Sequence, residues 1–231
     1  MIALVLQARL DSSRLPGKSL LPLDGRPLIF RAMEALNRVP AELRVLACPE
    51  DCVSFFAPLA AEAGFEISAG PKEDVLARFC LAIRRFNITH LIRATGDNPF
   101  VFADAAAAIA AEALALDADY AGYAGLPEGA GVETVNATAL LRAEAEAVLS
   151  HEREHVCPFL YGHPELFSLH RPLAPARWRN PLRLTVDTSE DYERAKLLYA
   201  ALSLSAPGEA RCRGSDIIAV GEKIFSPGAA L

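Results

Sequence analysis

The chain has 231 residues, 52% of them hydrophobic, and a formal net charge of −6 at pH 7. That is enough chain and apolar side chain for one large domain with a sizeable core. The acidic balance speaks against the broad basic face of a nucleic-acid polymer binder, but it leaves room for a local basic loop gripping a small anion.

The five cysteines are an odd number and form no C-x-x-C pair, so buried thiols are expected rather than a disulfide framework or zinc ribbon. No basic stretch precedes the first apolar run, which is too short for a signal peptide or a membrane span. A cytoplasmic protein that does not engage the membrane is the expectation.

Residues 2–6 form a continuous apolar run, the pattern of a strand buried on both faces. A basic stretch, 8–18, follows it directly. Pro27 is expected as the first residue of a helix over 28–39. Strands are expected at 44–48 and 65–67, with a helix at 50–63 between them that stops at Gly64. A helix over 73–86 places Val75, Leu76, Phe79, Ala82, Ile83 and Phe86 on one face. A fourth strand, 89–94, runs into the polar turn 95–99, and an alanine-rich helix covers 105–116.

The second half is less regular. Strands are expected at 119–123, 132–136, 166–170 and 182–186, and helices at 137–148, 150–161, 190–202 and 215–224, with Ser189 capping the third of these. The alternation of strands and helices predicts an α/β, three-layer sandwich around a mostly parallel sheet. A single domain, 1–231, is expected, with its core at roughly 1–125 and 180–205 and an irregular portion at roughly 126–179.

In such sheets ligands gather at the carboxyl ends of the strands. The loop after the first strand brings Arg9, Arg14 and Lys18 there, a set suited to a triphosphate. Ser12, Ser13 and Gly17 let backbone N–H groups approach phosphate oxygens. The loop fits neither G-x-x-x-x-G-K-[ST] nor G-x-G-x-x-G. Asp97 and Asp187 each follow a predicted strand. Were those strands neighbours, the two carboxylates with substrate phosphates would suit Mg²⁺. His151-Glu152-Arg153-Glu154-His155 satisfies H-E-x-x-H, but the segment is almost wholly charged, unlike a buried catalytic zinc helix, and zinc hydrolysis is set aside.

Four segments carry a resemblance: Q-A-R-L-D-S-S-R-L-P-G-K-S-L-L (7–21), R-A-T-G-D-N-P (93–99), R-E-H-V-C-P-F-L-Y (153–161) and R-L-T-V-D-T-S-E-D (183–191). Together they resemble the cytidylyltransferases of acidic sugars, in the branch of the spore coat polysaccharide biosynthesis protein F. They are similar, more distantly, to the enzymes that make CMP-sialic acid and CMP-Kdo. The resemblance implies a nucleotide-diphospho-sugar transferase (GT-A-like) fold, CTP and an acidic, nonulosonic-type sugar as substrates, a Mg²⁺ requirement and release of pyrophosphate. A homodimer is the expected assembly.

Carried over by position, Ala8, Arg9, Ser12, Ser13, Arg14, Gly17, Lys18 and Thr95 would bind the nucleotide. Arg9, Lys18, Asp97 and Asp187 would serve catalysis, with Asp97 and Asp187 holding Mg²⁺. Glu133, Arg153 and His155 would face the sugar. Thr95 stands where the Kdo enzymes carry a base-reading glutamine, and Gly131 where the family carries an acid. These two departures keep open a different nucleotide or acceptor, and a non-catalytic nucleotide-sugar-binding homologue.

Overall fold

A computed structural model describes residues 1–205 and 213–225; Cys212 lies outside them. Its centre is a seven-stranded sheet built from β1 (Ile2–Gln7), β4 (Leu43–Pro49), β5 (Glu66–Gly70), β6 (His90–Thr95), β7 (Tyr120–Ala121), β8 (Glu133–Asn136) and β9 (Leu169–His170). The order is β5-β4-β1-β6-β8-β7-β9. The first four are mutually parallel, β8 is antiparallel to both β6 and β7, and β9 runs parallel to β7. A two-stranded hairpin, β2 (Pro22–Leu23) with β3 (Arg26–Pro27), lies outside it.

β1 shows why the sheet is buried on both faces. Leu4 and Leu6 point into one core, against α1 (Leu28–Leu36), α2 (Val53–Ala63) and α4 (Ala103–Ala115). Ala3 and Val5 point into the other, against α3 (Val75–Phe86), α5 (Ala137–Glu146) and α7 (Pro158–Gly162). Alternate side chains of one strand thus anchor both helical layers. A third cluster packs Phe100, Phe102 and Trp178 against α8 (Ser189–Ser205) and α9 (Gly214–Phe225).

The structure corrects several expected elements. Pro27 precedes α1 as its N-cap rather than opening it. The expected helix 150–161 is two, α6 (Ser150–His155) and α7, separated by Val156 at φ 74° and ψ −56°. The Cys157 N–H donates to the His155 carbonyl at 2.9 Å, a γ-turn, and Pro158 has no N–H with which to continue the ladder.

Residues 182–186 form no strand of the sheet. Their backbone is spent elsewhere: the Leu184 and Thr185 N–H groups donate to the Glu128 carbonyl at 2.8 and 3.2 Å, and the Val186 N–H to the Asp97 carbonyl at 2.9 Å. Thr188, not Ser189, caps α8. Its hydroxyl accepts the Asp191 N–H at 3.2 Å, and its N–H donates to the Asp191 carboxylate at 3.0 Å. The portion at 126–179, expected outside the core, supplies β8 and β9 to the central sheet.

Candidate active site

The loop after β1 is shaped by its own backbone. The Gly17 N–H closes it onto the Leu10 carbonyl at 3.2 Å, and Gly17 sits at φ 66°, in the left-handed region that glycine adopts at no steric cost. The Ser19 hydroxyl donates to the Arg9 carbonyl at 2.9 Å. These bonds hold a short 3₁₀ turn, Lys18–Leu20, whose first side chain reaches under the loop. The neighbouring turn is pressed against it: the Gly96 N–H donates to the Gln7 carbonyl at 2.8 Å, and a Cβ on Gly96 would stand 2.5 Å from Ile29 Cδ1.

Between loop and turn lies a cavity of about 290 Å³. Of the nucleotide-site candidates, Ala8, Arg9, Ser12, Ser13, Arg14, Lys18 and Thr95 line it, as do Asp97, Asp187 and His155. Gly17 does not line it; it closes the loop from behind. Lys18 joins the two aspartates. Its ammonium donates to Asp97 Oδ2 at 2.9 Å, to Asp187 Oδ1 at 2.8 Å and to the Val186 carbonyl at 2.8 Å. The two carboxylates thus meet without neighbouring strands, through the tether between Val186 and the Asp97 carbonyl.

Asp187 is also 3.2 Å from Arg14 and accepts from Arg183 at 2.9 Å. Burial acts to raise its pKa, but Lys18, Arg14 and Arg183 outweigh it and hold the carboxyl below its usual range.

A second cavity, also about 290 Å³, shares Arg93 and Thr95 with the first. Glu133 lines it, but its carboxylate is already engaged: it pairs with Arg93 and accepts the Tyr120 hydroxyl at 2.8 Å. Arg93 in turn donates to Gln7 Oε1 at 2.8 Å from Nη2, so one chain of bonds links the two cavities. Burial and the charge of Glu133 together push the Tyr120 hydroxyl far above its ordinary pKa, so it acts as a donor. Arg171, at the end of β9, lines the same cavity and stacks over the Tyr161 ring at 5.4 Å.

Two of the sugar-site expectations separate. His155 faces the first cavity, whereas Arg153 lines neither. Arg153 is spent on Asp74 at 2.7 Å and on the Glu144 and Ala147 carbonyls at 3.0 and 3.1 Å, pinning α6 to the start of α3. The acid of the H-E-x-x-H segment, Glu152, is buried and accepts the Leu149 N–H at 3.1 Å. No cluster of three or more metal-ligating side chains occurs among the described residues.

Two cations of the first cavity went unread in the sequence. Arg78 is 1% exposed and donates to the Pro71 and Lys72 carbonyls at 2.8 and 2.7 Å. Its signal was present: it falls three residues after Val75 and four before Ala82, on the apolar face of α3, where a charge needs a reason. Arg93 lay inside a strand pattern and gave no comparable signal.

A mostly parallel sheet thus carries beside β1 and β6 a basic cavity with two facing carboxylates, and comparison with known proteins gives the class, a nucleotidyltransferase. A family model described as cytidylyltransferase matches residues 3–213. The spore coat polysaccharide biosynthesis protein SpsF of Bacillus subtilis (strain 168) is 32% identical over 206 residues, 86% of each chain. The chain belongs to the cytidylyltransferase family.

Solved structures share its fold. A cytidylyltransferase from Leptospira borgpetersenii serovar Hardjo-bovis superposes with a TM-score of 0.85 at 23% identity, covering 96% of this chain and 93% of that one. A CMP:2-keto-3-deoxy-manno-octonic acid synthetase complexed with CTP gives 0.66 at 15% identity, covering 86% and 98%. Rv0371c from Mycobacterium tuberculosis H37Rv, complexed with manganese, gives 0.60 at 18% identity, covering 85% and 97%. No helix among the described residues is long and apolar enough to cross a membrane.

Proposed function

We propose that the protein transfers the cytidylyl group of CTP to a hydroxyl of an acidic, nonulosonic-type sugar, releasing pyrophosphate, in the synthesis of a surface polysaccharide. The observation that carries this reading is the meeting of Lys18, Asp97 and Asp187 beneath the loop that bears Arg9 and Arg14. Family membership and the CTP-bound relative support the choice of nucleotide.

In this reading the triphosphate lies in the first cavity. Arg9 and Arg14 neutralise its oxygens and the departing pyrophosphate, and Arg78 adds fixed positive charge from below. The acceptor occupies the second cavity, with its hydroxyl aimed across the wall shared at Arg93 and Thr95. Attack on the α-phosphorus forms the new P–O bond as the bond to the β-phosphate breaks. Most of the rate gain comes from positioning and charge stabilisation.

The donor set suits Mg²⁺, since two carboxylate oxygens, on Asp97 and Asp187, already share one cation, the Lys18 ammonium. Those two residues would hold the ion, which when bound polarises the phosphate. The manganese complex of the mycobacterial relative supports a divalent metal.

Pyrophosphate release tests the reading, with CTP, UTP, GTP, ATP and dTTP each offered against a panel of acidic and neutral sugars plus Mg²⁺. Release from CTP with an acidic sugar is expected. Silence across the panel overturns it.

A further inference from the structure

Lys18 raises a question that the transfer reaction leaves unanswered. A lysine ammonium has three hydrogens, and all three are engaged here, by Asp97, Asp187 and the Val186 carbonyl. The side chain is only 12% exposed. In this arrangement Lys18 has no hydrogen left for a phosphate, and it sits in the seat that a metal between the two carboxylates would need. We infer that Lys18 is a resident counter-cation, which keeps the Asp97–Asp187 pair closed to divalent metal until a nucleoside triphosphate draws its ammonium away.

The charges around the seat support this. Lys18 and Arg14 already balance the charge of the two carboxylates, and Arg183, shared with Asp191 and Glu128, also reaches Asp187. A divalent ion entering the seat finds the carboxylates' charge already balanced and has to displace a part-buried ion pair. A triphosphate in the adjoining cavity reverses the balance, because Arg14 and Lys18 then have a more highly charged partner. The geometry allows the exchange. The Lys18 backbone is fixed in the 3₁₀ turn, but its four-carbon stem can carry the ammonium from the carboxylates toward the cavity without moving the loop. Nucleotide and metal then bind cooperatively, each tightening the other by the same factor.

The inference rests on reading the first cavity as the nucleotide's, and its test can fail separately from that reading. Mn²⁺ is titrated into nucleotide-free protein and followed by electron paramagnetic resonance, for the wild type and Lys18→Met. The variant is expected to gain one saturable site at least tenfold tighter than any in the wild type. Adding Asp97→Asn should abolish it. Equal Mn²⁺ affinity in wild type and Lys18→Met overturns the inference.

Should Lys18→Met fail to fold, the wild type alone decides. Mg²⁺ without nucleotide should leave its melting temperature unmoved, and a saturable rise overturns the inference. CTP titrated in the presence of EDTA addresses the cavity itself: binding upholds it as the nucleotide's, and no binding overturns the gate together with that reading.

Discussion

The two cavities that meet at Arg93 and Thr95 are built by opposite routes. The first takes about half of its lining from one stretch, Gln7 to Ser19, closed by its own hydrogen bonds, and Arg78, Asp97, His155 and Asp187 complete it from elsewhere. The second is assembled from β6, β7, β8 and the residue after β9, which meet only once the sheet is complete. Phosphate is the same in every nucleotide, so a local loop suffices to hold it. An acceptor needs a shaped pocket, and the second cavity, proposed for it, is walled by a hydrogen-bonded network whose Glu133 is consumed by Arg93 and Tyr120.

Substitutions on each side sharpen this contrast. The largest effect is expected at the carboxylate pair: Asp97→Ala should lower turnover by about 10³-fold, the scale of losing a preorganised charge in a closed site, with the fold intact by circular dichroism. Retained pyrophosphate release would remove the pair from the chemistry.

Across the shared wall the first cost should be stability. Glu133→Ala leaves Arg93 without its counter-charge and should destabilise by about 3 kcal/mol in urea denaturation; a cost below about 1 kcal/mol would mean the pair does not hold the wall.

Gly129 comes next. Its φ is 88°, and a Cβ there would stand 2.5 Å from the Thr185 N, so Gly129→Ala should cost about 2 kcal/mol of thermal stability and shift the 185–187 segment that carries Asp187.

At the second cavity, the proposed acceptor site, Arg171 forms no ion pair among the described residues and stacks on Tyr161. Arg171→Ala should therefore change stability by no more than about 0.5 kcal/mol, yet raise KM for a carboxylate-bearing sugar about tenfold, the worth of one charge-assisted hydrogen bond. An unchanged KM would take the acceptor's charge away from this residue.

The smallest effect should be in acid. Burial tends to raise the Asp191 pKa, but Arg183 and the backbone N–H groups of Asp187 and Thr188 outweigh it and hold it below the ordinary 3.8. Its stabilisation is present above that ordinary value and is lost as pH falls through the lower folded one. Asp191→Asn should flatten the fall in stability over that window and leave the slope near neutrality unchanged.

The same contrast sets what the sequence made readable. The parallel half of the sheet was legible from short apolar strands alternating with amphipathic helices, and the cationic loop from its place after β1. Asp97 and Asp187 were legible as a pair, but for a reason the fold does not use: Asp187 follows an extended segment tied to Glu128 and to the turn, not a sheet strand. The break at Val156 did have a signal, since the charged run stops at His155 and Pro158 follows two residues after Val156; the γ-turn itself, at a β-branched residue with positive φ, had none. Arg93 and Tyr120 were hidden because their partners lie forty and thirteen residues away, across antiparallel pairings that periodicity does not report. Arg153, read as a sugar contact from its motif, turned out to brace α6, because its guanidinium finds three backbone and carboxylate acceptors before it can reach a cavity.

In the proposed reaction the loop cavity holds the nucleotide. Calorimetric titration of CTP with Mg²⁺ into the wild type and into Arg9→Ala/Arg14→Ala tests it most directly. Saturable binding of one CTP per chain by the wild type, and its loss in the double variant, are expected. Absence of CTP binding by the wild type, or equal affinity in both proteins, would contradict it.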